Sequence, residues 1–409
     1  MRVIRIRWRS IFAIGGNNSQ PEKGAVIYGR TSMRLSKLVL AVLPLMFMSG
    51  LARADVKFAY VGEISGSIAV SGGNFRDGVI LAVEELNAKG GILKQKIELT
   101  LYDTQTNPGV ARAQMQKAID GDPYVILGPI FSGNVKVTMQ MLQQAEIPHI
   151  IGGEAAELTS LGDAYLFRTS FGQQIGMPKI ANFIRDELKA KTVALIWVNN
   201  DFGKGGRDRL IKELGARDIK LAADVSSESG QVDFAADVVK LKAANADVVF
   251  VYSNEEECAR IMREARKQGL KGPFVGDTTL LSQKAIELGG DAANGAMGHV
   301  GLTADAPLKQ VEEFKARFQK RFNYVPDHNG LKGYTGVYAV KYVTEKIGKF
   351  ERKALASTMH GLTITPEDEP GILIETSWDN NGEIDRISFL AEVVDGKQRI
   401  TKILPKIRK

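Results

Sequence analysis

The chain has little cysteine and histidine, the side chains on which many catalytic and metal sites depend. It contains one cysteine and four histidines in 409 residues. Cys258 has no second cysteine to pair with, so packing must stabilise the fold, and we interpret this thiol as a small buried apolar group. No two histidines have the i, i+4 spacing of a helical metal site. We therefore expect no metal site.

Sequence motifs of the common enzyme classes are also missing. The chain contains no HExxH, no CxxC, no GxSxG and no GxxxxGK[ST]. The glycines of residues 202–206 (FGKGG) resemble a phosphate loop, but their spacing differs from it. The sequence therefore predicts a protein that is not an enzyme and that binds no cofactor.

Long apolar runs are absent except near the N-terminus. Residues 38–48 form a run of about eleven residues, which is too short to span a bilayer. Basic residues precede it, and the small residues Ala52 and Ala54 follow it, as in an export signal cleaved after Ala54. A buried helix or a membrane anchor explains this pattern less well. We expect residues 1–54 to be a leader, with Met33 as the true start, and the remainder to leave the cytoplasm.

An excess of one charge is missing once the leader is set aside. The whole chain has a formal net charge of +7, which alone suggests nucleic acid or an anionic membrane as partner. Residues 1–54 hold nine of the 54 Lys and Arg residues and one of the 47 Asp and Glu residues, so the chain from Asp55 has a net charge of −1. We therefore expect no nucleic-acid partner. The remaining length suits two lobes, each with its own core.

Short apolar runs alternate with amphipathic helical stretches, which is typical of parallel sheets covered by helices on both faces. A first series has strands at 56–61, 97–102, 124–127 and 147–151 and helices at 72–90, 108–119 and 134–144. A second series has helices at 178–188, 205–214, 234–243 and 255–268 and strands at 192–198, 221–225, 247–252 and 274–276. Each series predicts one doubly wound α/β domain.

The pattern changes in the last hundred residues. Helices are predicted at 308–322 and 334–347, and a strand-rich tail follows at 372–403 with a turn at 380–382 (NNG). We interpret the two helices as returning to the first domain.

Glycine- and serine-rich turns follow three strands of the first series. They are SGS at 65–67 with SGG at 71–73, IFSG at 130–133, and GGE at 152–154. The carboxyl ends of parallel strands meet at one edge of a sheet, where helix N-termini present free N–H groups to anions. One such turn alone is more simply a tight turn with a capping serine. Three together favour a site for a small ligand with an anionic or polar head.

Several of these segments resemble the type I periplasmic solute-binding proteins of ABC importers, specifically the leucine/isoleucine/valine-binding protein family. The resemblance covers nearly all of the chain after the leader. Its markers are VGEISG at 61–66, LNAKGGI at 86–92, LGP at 127–129, FRT at 167–169, FGKG at 202–205 and GDAANG at 290–295.

The resemblance implies an α/β fold of two doubly wound parallel-sheet lobes joined by a three-segment hinge, with crossovers near 171–174, 299–303 and 375–390. Lobe 1 would comprise 55–172 and 302–380, and lobe 2 would comprise 173–301 and 381–409. Such a protein is a periplasmic monomer that captures a small polar organic solute between its lobes. Its partners would be this ligand and the ABC permease and ATPase subunits in the inner membrane.

The resemblance also assigns ligand-binding positions. Ser132 matches the serine that binds the ligand's α-carboxylate, and Gly152 and Gly153 match its backbone partners. Glu154 replaces a threonine that holds the same carboxylate, so Glu154 would repel an anionic head unless it is protonated, turned away or paired with a cation. Thr278 replaces the acid that binds the α-ammonium.

Other positions complete the predicted site. Asp277, beside Thr278, could substitute for the missing acid. Phe202 matches a tyrosine that lines the pocket from the second lobe, and Ser71 and Asn254 match aromatic wall residues. An apolar pocket for an aromatic or branched side group would be formed by Phe131, Phe171, Phe202 and Tyr252.

These departures leave several functions open. The ligand is a branched-chain or other amino acid or a related compound, or alternatively an aromatic carboxylic acid or an amide. A ligand-sensing domain that serves a signalling partner would have the same fold. An exported enzyme that uses Glu154 and Asp277 as an acid–base pair is a further alternative.

Overall fold

A computed structural model describes residues 4–5 and 55–407 of the chain. The predicted export signal and the start at Met33 lie outside these residues. No helix in the described part of the chain is both long and apolar enough to cross a membrane.

The first lobe is built around a six-stranded sheet. Its strands are β1 (Ile4–Arg5), β2 (Val56–Gly62), β3 (Ile97–Asp103), β4 (Val125–Leu127), β5 (His149–Ile151) and β6 (Leu166–Arg168). They lie in the order β1-β3-β2-β4-β5-β6, and all pairs are parallel except β1 with β3. Three helices of this lobe connect successive strands, namely α1 (Ala69–Ala88), α2 (Pro108–Asp120) and α3 (Ser132–Gln144).

The second lobe repeats this construction. Its strands β7 (Thr192–Val198), β8 (Lys220–Ser227), β9 (Val248–Tyr252), β10 (Phe274–Gly276) and β11 (Met297–Val300) are parallel to one another. The helices of this part are α4 (Gln173–Asp186), α5 (Asp201–Gly215), α6 (Ala235–Ala243), α7 (Glu255–Lys267) and α8 (Gln283–Gly289). Every residue of β9 and β10 is buried, as expected for strands covered on both faces.

The chain then returns to the first lobe. Helices α9 (Lys309–Phe322), α10 (His328–Ile347) and α11 (Arg352–Met359) follow β11. Helix α10 packs closely on α1, and glycines make this approach possible. A Cβ atom on Gly78 would lie 2.0 Å from the carbonyl oxygen of Gly330, and one on Gly333 would lie 2.2 Å from that of Phe75.

The remaining strands form a small sheet and complete the second one. Strands β12 (Thr363–Ile364), β13 (Thr376–Trp378) and β14 (Ile384–Asp385) pair antiparallel. Strands β15 (Ser388–Val394) and β16 (Lys397–Leu404) extend the second sheet to the order β16-β15-β11-β10-β9-β7-β8. The chain thus passes between the lobes three times, after β6, β11 and β14. The predicted α/β fold class is confirmed.

Several helices begin earlier than the sequence pattern indicates, and the differences are largest for α4 and α10. Helix α4 starts at Gln173 and contains Pro178, the residue at which we predicted its start. The side-chain amide of Gln173 donates to the carbonyl oxygen of Phe202 at 2.7 Å and to the Tyr252 hydroxyl group at 3.0 Å, and these bonds hold the first turn of the helix. Helix α10 starts at His328 rather than at residue 334.

Candidate functional site

Two adjoining cavities lie between the lobes, and together with the open solvent at their mouths they contain about 430 Å³ and 400 Å³ of space not filled by protein atoms. The first cavity is lined by Ile68, Ser71, Ile130, Phe131, Ser132, Gly152, Glu154, Phe202, Asn254, Glu255, Thr279, His328, Asn329 and Lys332. The second, here named the hinge cavity, is lined by Glu154, Phe171, Gly172, Gln173, Gly176, Met177, Ile180, Tyr252, Asp277, Thr278, His299, Gly301, Leu302, His328, Lys332 and Arg386. Glu154, His328 and Lys332 line both cavities and so separate them.

The predicted site residues lie around this cleft with one exception. Those lining the first cavity are Ser71, Phe131, Ser132, Gly152, Glu154, Phe202 and Asn254. Asp277 and Thr278 line the hinge cavity, whereas Gly153 lines neither. The N–H of Gly152 already donates to the carbonyl oxygen of Pro129 at 3.1 Å. The backbone of these two glycines therefore offers a ligand fewer hydrogen bonds than the sequence suggested. The ligand-binding roles of the predicted residues remain predictions.

Ser132 is held by the turn that carries Glu154. Its hydroxyl oxygen accepts hydrogen bonds from the backbone N–H groups of Glu154, at 3.3 Å, and Ala155, at 3.2 Å. Ser132 is the first residue of α3 and is buried. The two accepted bonds orient the hydroxyl group and leave its own proton available to a ligand oxygen in the first cavity.

Glu154 is paired with a cation that the sequence analysis did not identify. The Lys332 ammonium lies 2.7 Å from Glu154 Oε1 and also donates to Asn329 Oδ1 at 3.1 Å. The side chains of Lys332 and Glu154 are only 4% and 14% exposed. Of the three possibilities considered for Glu154, the structure thus shows pairing with a cation.

The early start of α10 explains why Lys332 was missed. The Asp327 carboxylate accepts from the N–H groups of Asn329, at 2.7 Å, and Gly330, at 3.4 Å, and so caps the helix. The first turns of the helix, which precede the predicted start at residue 334, carry His328 and Lys332 into the cleft. The capping aspartate before His328 was the one local signal that could have indicated this start.

Asp277 and Thr278 form the second-lobe wall of the hinge cavity. Asp277 Oδ1 accepts from the N–H of Thr279 at 3.0 Å and from its hydroxyl group at 2.6 Å. Burial, followed by repulsion from Glu154, raises the pKa of Asp277 to about 7. The Thr278 hydroxyl oxygen accepts from the N–H of Gly301 at 3.1 Å. Thr278 thus ties β10 to a hinge segment, and Asp277 is the acid at this end of the cleft.

A second charged residue that the sequence analysis missed, Glu255, lies at the start of α7. Glu255 is 4% exposed, and its Oε1 accepts a hydrogen bond from the Ser71 hydroxyl group at 2.6 Å. Ser71 belongs to the first lobe and Glu255 to the second, so this bond crosses the cleft. Neighbouring Asn254, the N-cap of α7, uses its side-chain amide to donate to Glu257 at 2.8 Å.

The four aromatic residues predicted to share one pocket are divided between the two cavities. Phe131 and Phe202 line the first cavity, whereas Phe171 and Tyr252 line the hinge cavity. Phe202 stacks on Tyr252 with ring centroids 4.3 Å apart, so each ring covers one face of the other. The four rings therefore do not line one cavity, and whether they form a ligand pocket stays a prediction. Phe131 of the first lobe and Phe202 of the second each add a phenyl ring to the lining of the first cavity.

Two buried histidine nitrogens in the cleft have no hydrogen-bond partner, namely His328 Nδ1 and His299 Nε2. Burial holds the pKa of both imidazoles well below the ordinary value, so both are neutral. Within the described residues, no three His, Cys, Asp or Glu side chains are placed to hold a metal ion. Cys258 is buried in α7, as we expected from the sequence.

Because of Asp327, the parent protein is expected to lose stability as the pH rises from about 4 to about 7, and replacing Asp327 by asparagine should remove this loss. Burial, followed by repulsion from Glu255, raises the pKa of Asp327 from 3.8 to about 7, against the attraction of Lys332. Between these values the unfolded chain releases a proton that the folded chain keeps, so a rise in pH favours unfolding. Asparagine caps helices as well as aspartate does but does not titrate.

The measurement is the urea midpoint at about pH 5 and about pH 8. The urea midpoint of Asp327→Asn minus that of the parent protein should be larger at the higher pH. The matched control is Asp395→Asn, because the Asp395 side chain is 84% exposed. Equal pH dependence in Asp327→Asn and the parent would contradict the expectation.

Comparison with known proteins identifies the family. A profile described as periplasmic binding protein matches residues 55–398, which include both sheets and the whole cleft. The chain belongs to the periplasmic binding protein family. This family consists of solute-binding proteins rather than enzymes, and the resemblance noted from the sequence is confirmed.

Individual members of the periplasmic binding protein family support this assignment. The leucine-, isoleucine-, valine-, threonine- and alanine-binding protein of Pseudomonas aeruginosa is 26% identical over 367 residues, which cover 88% of this chain and 95% of that protein. A branched-chain amino acid transporter substrate-binding protein from Streptococcus pneumoniae, solved with isoleucine, superposes with a TM-score of 0.77 at 22% identity, over 86% of this chain and 99% of that one.

A third relative was solved with a different ligand. The solute-binding protein of an ABC transporter from R. palustris, in complex with benzoate, gives a TM-score of 0.79 at 18% identity, over 87% of this chain and 98% of that one. At these identities the two solved structures establish the shared fold.

Proposed function

We propose that the protein is the periplasmic substrate-binding component of an ABC importer. It captures a small polar organic solute in the cleft and delivers the closed, loaded form to a membrane permease with its cytoplasmic ATPase. The observation that carries this proposal is the family match to residues 55–398. The export signal, cleavage after Ala54 and the monomeric state belong to the same proposal.

We propose that the two lobes close around the bound ligand by a hinge motion. Lobe 1 comprises 55–172 and 302–380, and lobe 2 comprises 173–301 and 381–409. Two contacts across the cleft would break if the lobes opened: the Ser71 hydroxyl group donates to Glu255, and the Lys136 ammonium lies 3.2 Å from the Asp201 carboxylate. A ligand that contacts both lobes only when they meet shifts the population towards the closed form.

A branched-chain or other amino acid, or a related compound, is the first ligand class to test, because the Pseudomonas aeruginosa relative is named for such ligands. Ser132 would then donate to the ligand's carboxylate. Aromatic carboxylic acids and amides are the alternative, with Phe131 and Phe202 on either side of an aromatic ring.

Binding of a small solute should raise the melting temperature, because ligand that binds only the folded state stabilises it. The experiment is a thermal-shift screen of the chain from Asp55 against aliphatic and aromatic amino acids, aromatic carboxylates, amides, amines and short peptides. A confirmed hit is then tested for uptake by membrane vesicles that contain the permease. Uptake that depends on the protein supports the importer. Binding without uptake would favour the ligand-sensing alternative, and chemical conversion of the hit would favour the enzyme.

A further inference from the structure

The cleft contains more buried carboxyl groups than cations. The ammonium of Lys332 is surrounded by four acids. It pairs directly with Glu154. It also attracts the carboxyl groups of Glu255, Asp277 and Asp327. Glu255, Asp277 and Asp327 are 4%, 6% and 6% exposed. In the described part of the chain, none of these three forms an ion pair with a basic side chain. Fully ionised, these five groups together with Arg386, which attracts Glu154 from the hinge cavity, would have a net charge of −2.

Lobe closure brings these acids together. Glu255 of the second lobe repels Asp327 of the first, and Asp277 of the second lobe repels Glu154 of the first. Arg386 attracts Glu154 and Asp385 and donates to the carbonyl oxygen of Thr169 at 3.0 Å. It lines the hinge cavity but not the first cavity, where Glu255 lies. Burying carboxylates that lack a counter-charge costs free energy, so these acids oppose closure of the empty cleft.

A separate observation indicates that the first cavity holds a ligand with hydrogen-bonding groups. His328 is 4% exposed, lines this cavity together with Glu255, and leaves its Nδ1 atom without a partner. Buried polar atoms in folded proteins nearly always have a partner. A polar group of the ligand can supply it when the cleft closes.

We propose that the ligand carries a cationic nitrogen, such as an ammonium or amidinium group, that pairs with Glu255 in the first cavity while an apolar or aromatic part lies between Phe131 and Phe202. This inference rests on the proposed function and specifies its ligand class. The two phenyl rings favour an organic cation, since aromatic faces attract positive charge. A bare metal ion does not fit, because no three acidic, histidine or cysteine side chains of the described residues converge on one point.

The first test uses probes that differ only in charge. Binding of benzamidine, benzamide and benzoate, and of leucinamide, N-acetylleucinamide and N-acetylleucine, is measured by calorimetry on the full-length protein. In at least one set the cation should bind about tenfold or more tightly than the anion. If an anion or a neutral compound binds best in both sets, the ligand class is wrong while the proposed function stands. If no probe of either set binds, the inference is also overturned.

The second test uses Glu255→Gln, which is nearly the same size and can still accept the Ser71 bond. It should weaken binding of the cation about tenfold or more and change binding of the neutral probe by less than about twofold. Glu256→Gln is the matched control, because Glu256 is the next residue of α7, is 46% exposed and pairs with Arg260. Equal effects of the two substitutions would overturn the role of Glu255.

The unliganded protein gives a third, ligand-independent test. Because Glu255→Gln removes one of the buried charges that oppose closure, the variant should have a smaller radius of gyration in solution scattering than the parent protein or Glu256→Gln. A melting curve of each variant shows that it is folded. An unchanged radius of gyration for Glu255→Gln would overturn the inference even if a cation binds.

Discussion

Glu383→Gln should lower the free energy of unfolding by about 3–5 kcal/mol, because it leaves a buried arginine without its counter-charge. The side chains of Arg168 and Glu383 are 0% and 1% exposed, and Arg168 Nε lies 3.3 Å from Glu383 Oε2. Arg168 Nε has no well-aligned hydrogen bond to this oxygen, so the attraction is mainly electrostatic. Urea unfolding of the variant and the parent protein at neutral pH measures the effect.

The expected loss of stability is large because Glu383 also forms hydrogen bonds to other segments near the hinge. It accepts from the Thr159 hydroxyl group at 2.9 Å, from the N–H of Gly172 at 3.3 Å and from the side-chain amide of Gln174. The matched control is Glu375→Gln, since Glu375 is 46% exposed and pairs with Lys406 at the surface. It should change stability by about 0.5 kcal/mol or less. If the two variants behave alike, the buried pair does not hold the hinge segments in place.

Lys332→Met should lower the free energy of unfolding by about 3 kcal/mol, near the lower end of the range for a broken buried ion pair. The lower value is expected because Lys332 and Glu154 line the cleft and keep some contact with water. Glu154 would lose its partner, and the other acids around Lys332 would lose the cation that attracts them. The change in the free energy of unfolding is measured by urea unfolding at about pH 7, where ionised carboxylates would lose the attraction of the Lys332 ammonium.

A double-mutant cycle separates the lost ion pair from the lost packing of the lysine side chain. Glu154→Leu combined with Lys332→Met replaces both charges by apolar groups, so it should recover about half or more of the loss. Lys309→Met serves as the control, because the Lys309 side chain is 84% exposed. If the double variant is less stable than the sum of the single variants predicts, the two side chains do not stabilise each other.

Most strands could be predicted from the sequence because each is a continuous apolar run whose neighbours are polar. Strands β7 and β10 begin and end at the predicted residues. Both lie in the middle of a sheet between helices, where burial on both faces requires apolar residues throughout. Helix ends were harder to place, since the first turn depends on capping contacts rather than on periodicity.

The places of most candidate residues around the cleft were predictable from the sequence, but their pairings were not. Strand ends and their turns placed Ser132 and Glu154 at the edge of the first sheet, where the structure has them. Lys332 approaches Glu154 from a helix 178 residues away along the chain, and Glu255 meets Ser71 across 184 residues. No local pattern reports such pairings, because they depend on how the lobes and returning helices pack.

The buried thiol of Cys258 makes the protein convenient for fluorescence work. Burial raises the pKa of this thiol well above its ordinary value, so it should react slowly with maleimide dyes at neutral pH. The full sequence has no other cysteine. New cysteines at Leu161 and Val232, which are 56% and 73% exposed and belong to different lobes, can therefore carry a donor and an acceptor dye without removing the native one. Energy transfer between them would follow opening and closing in single molecules.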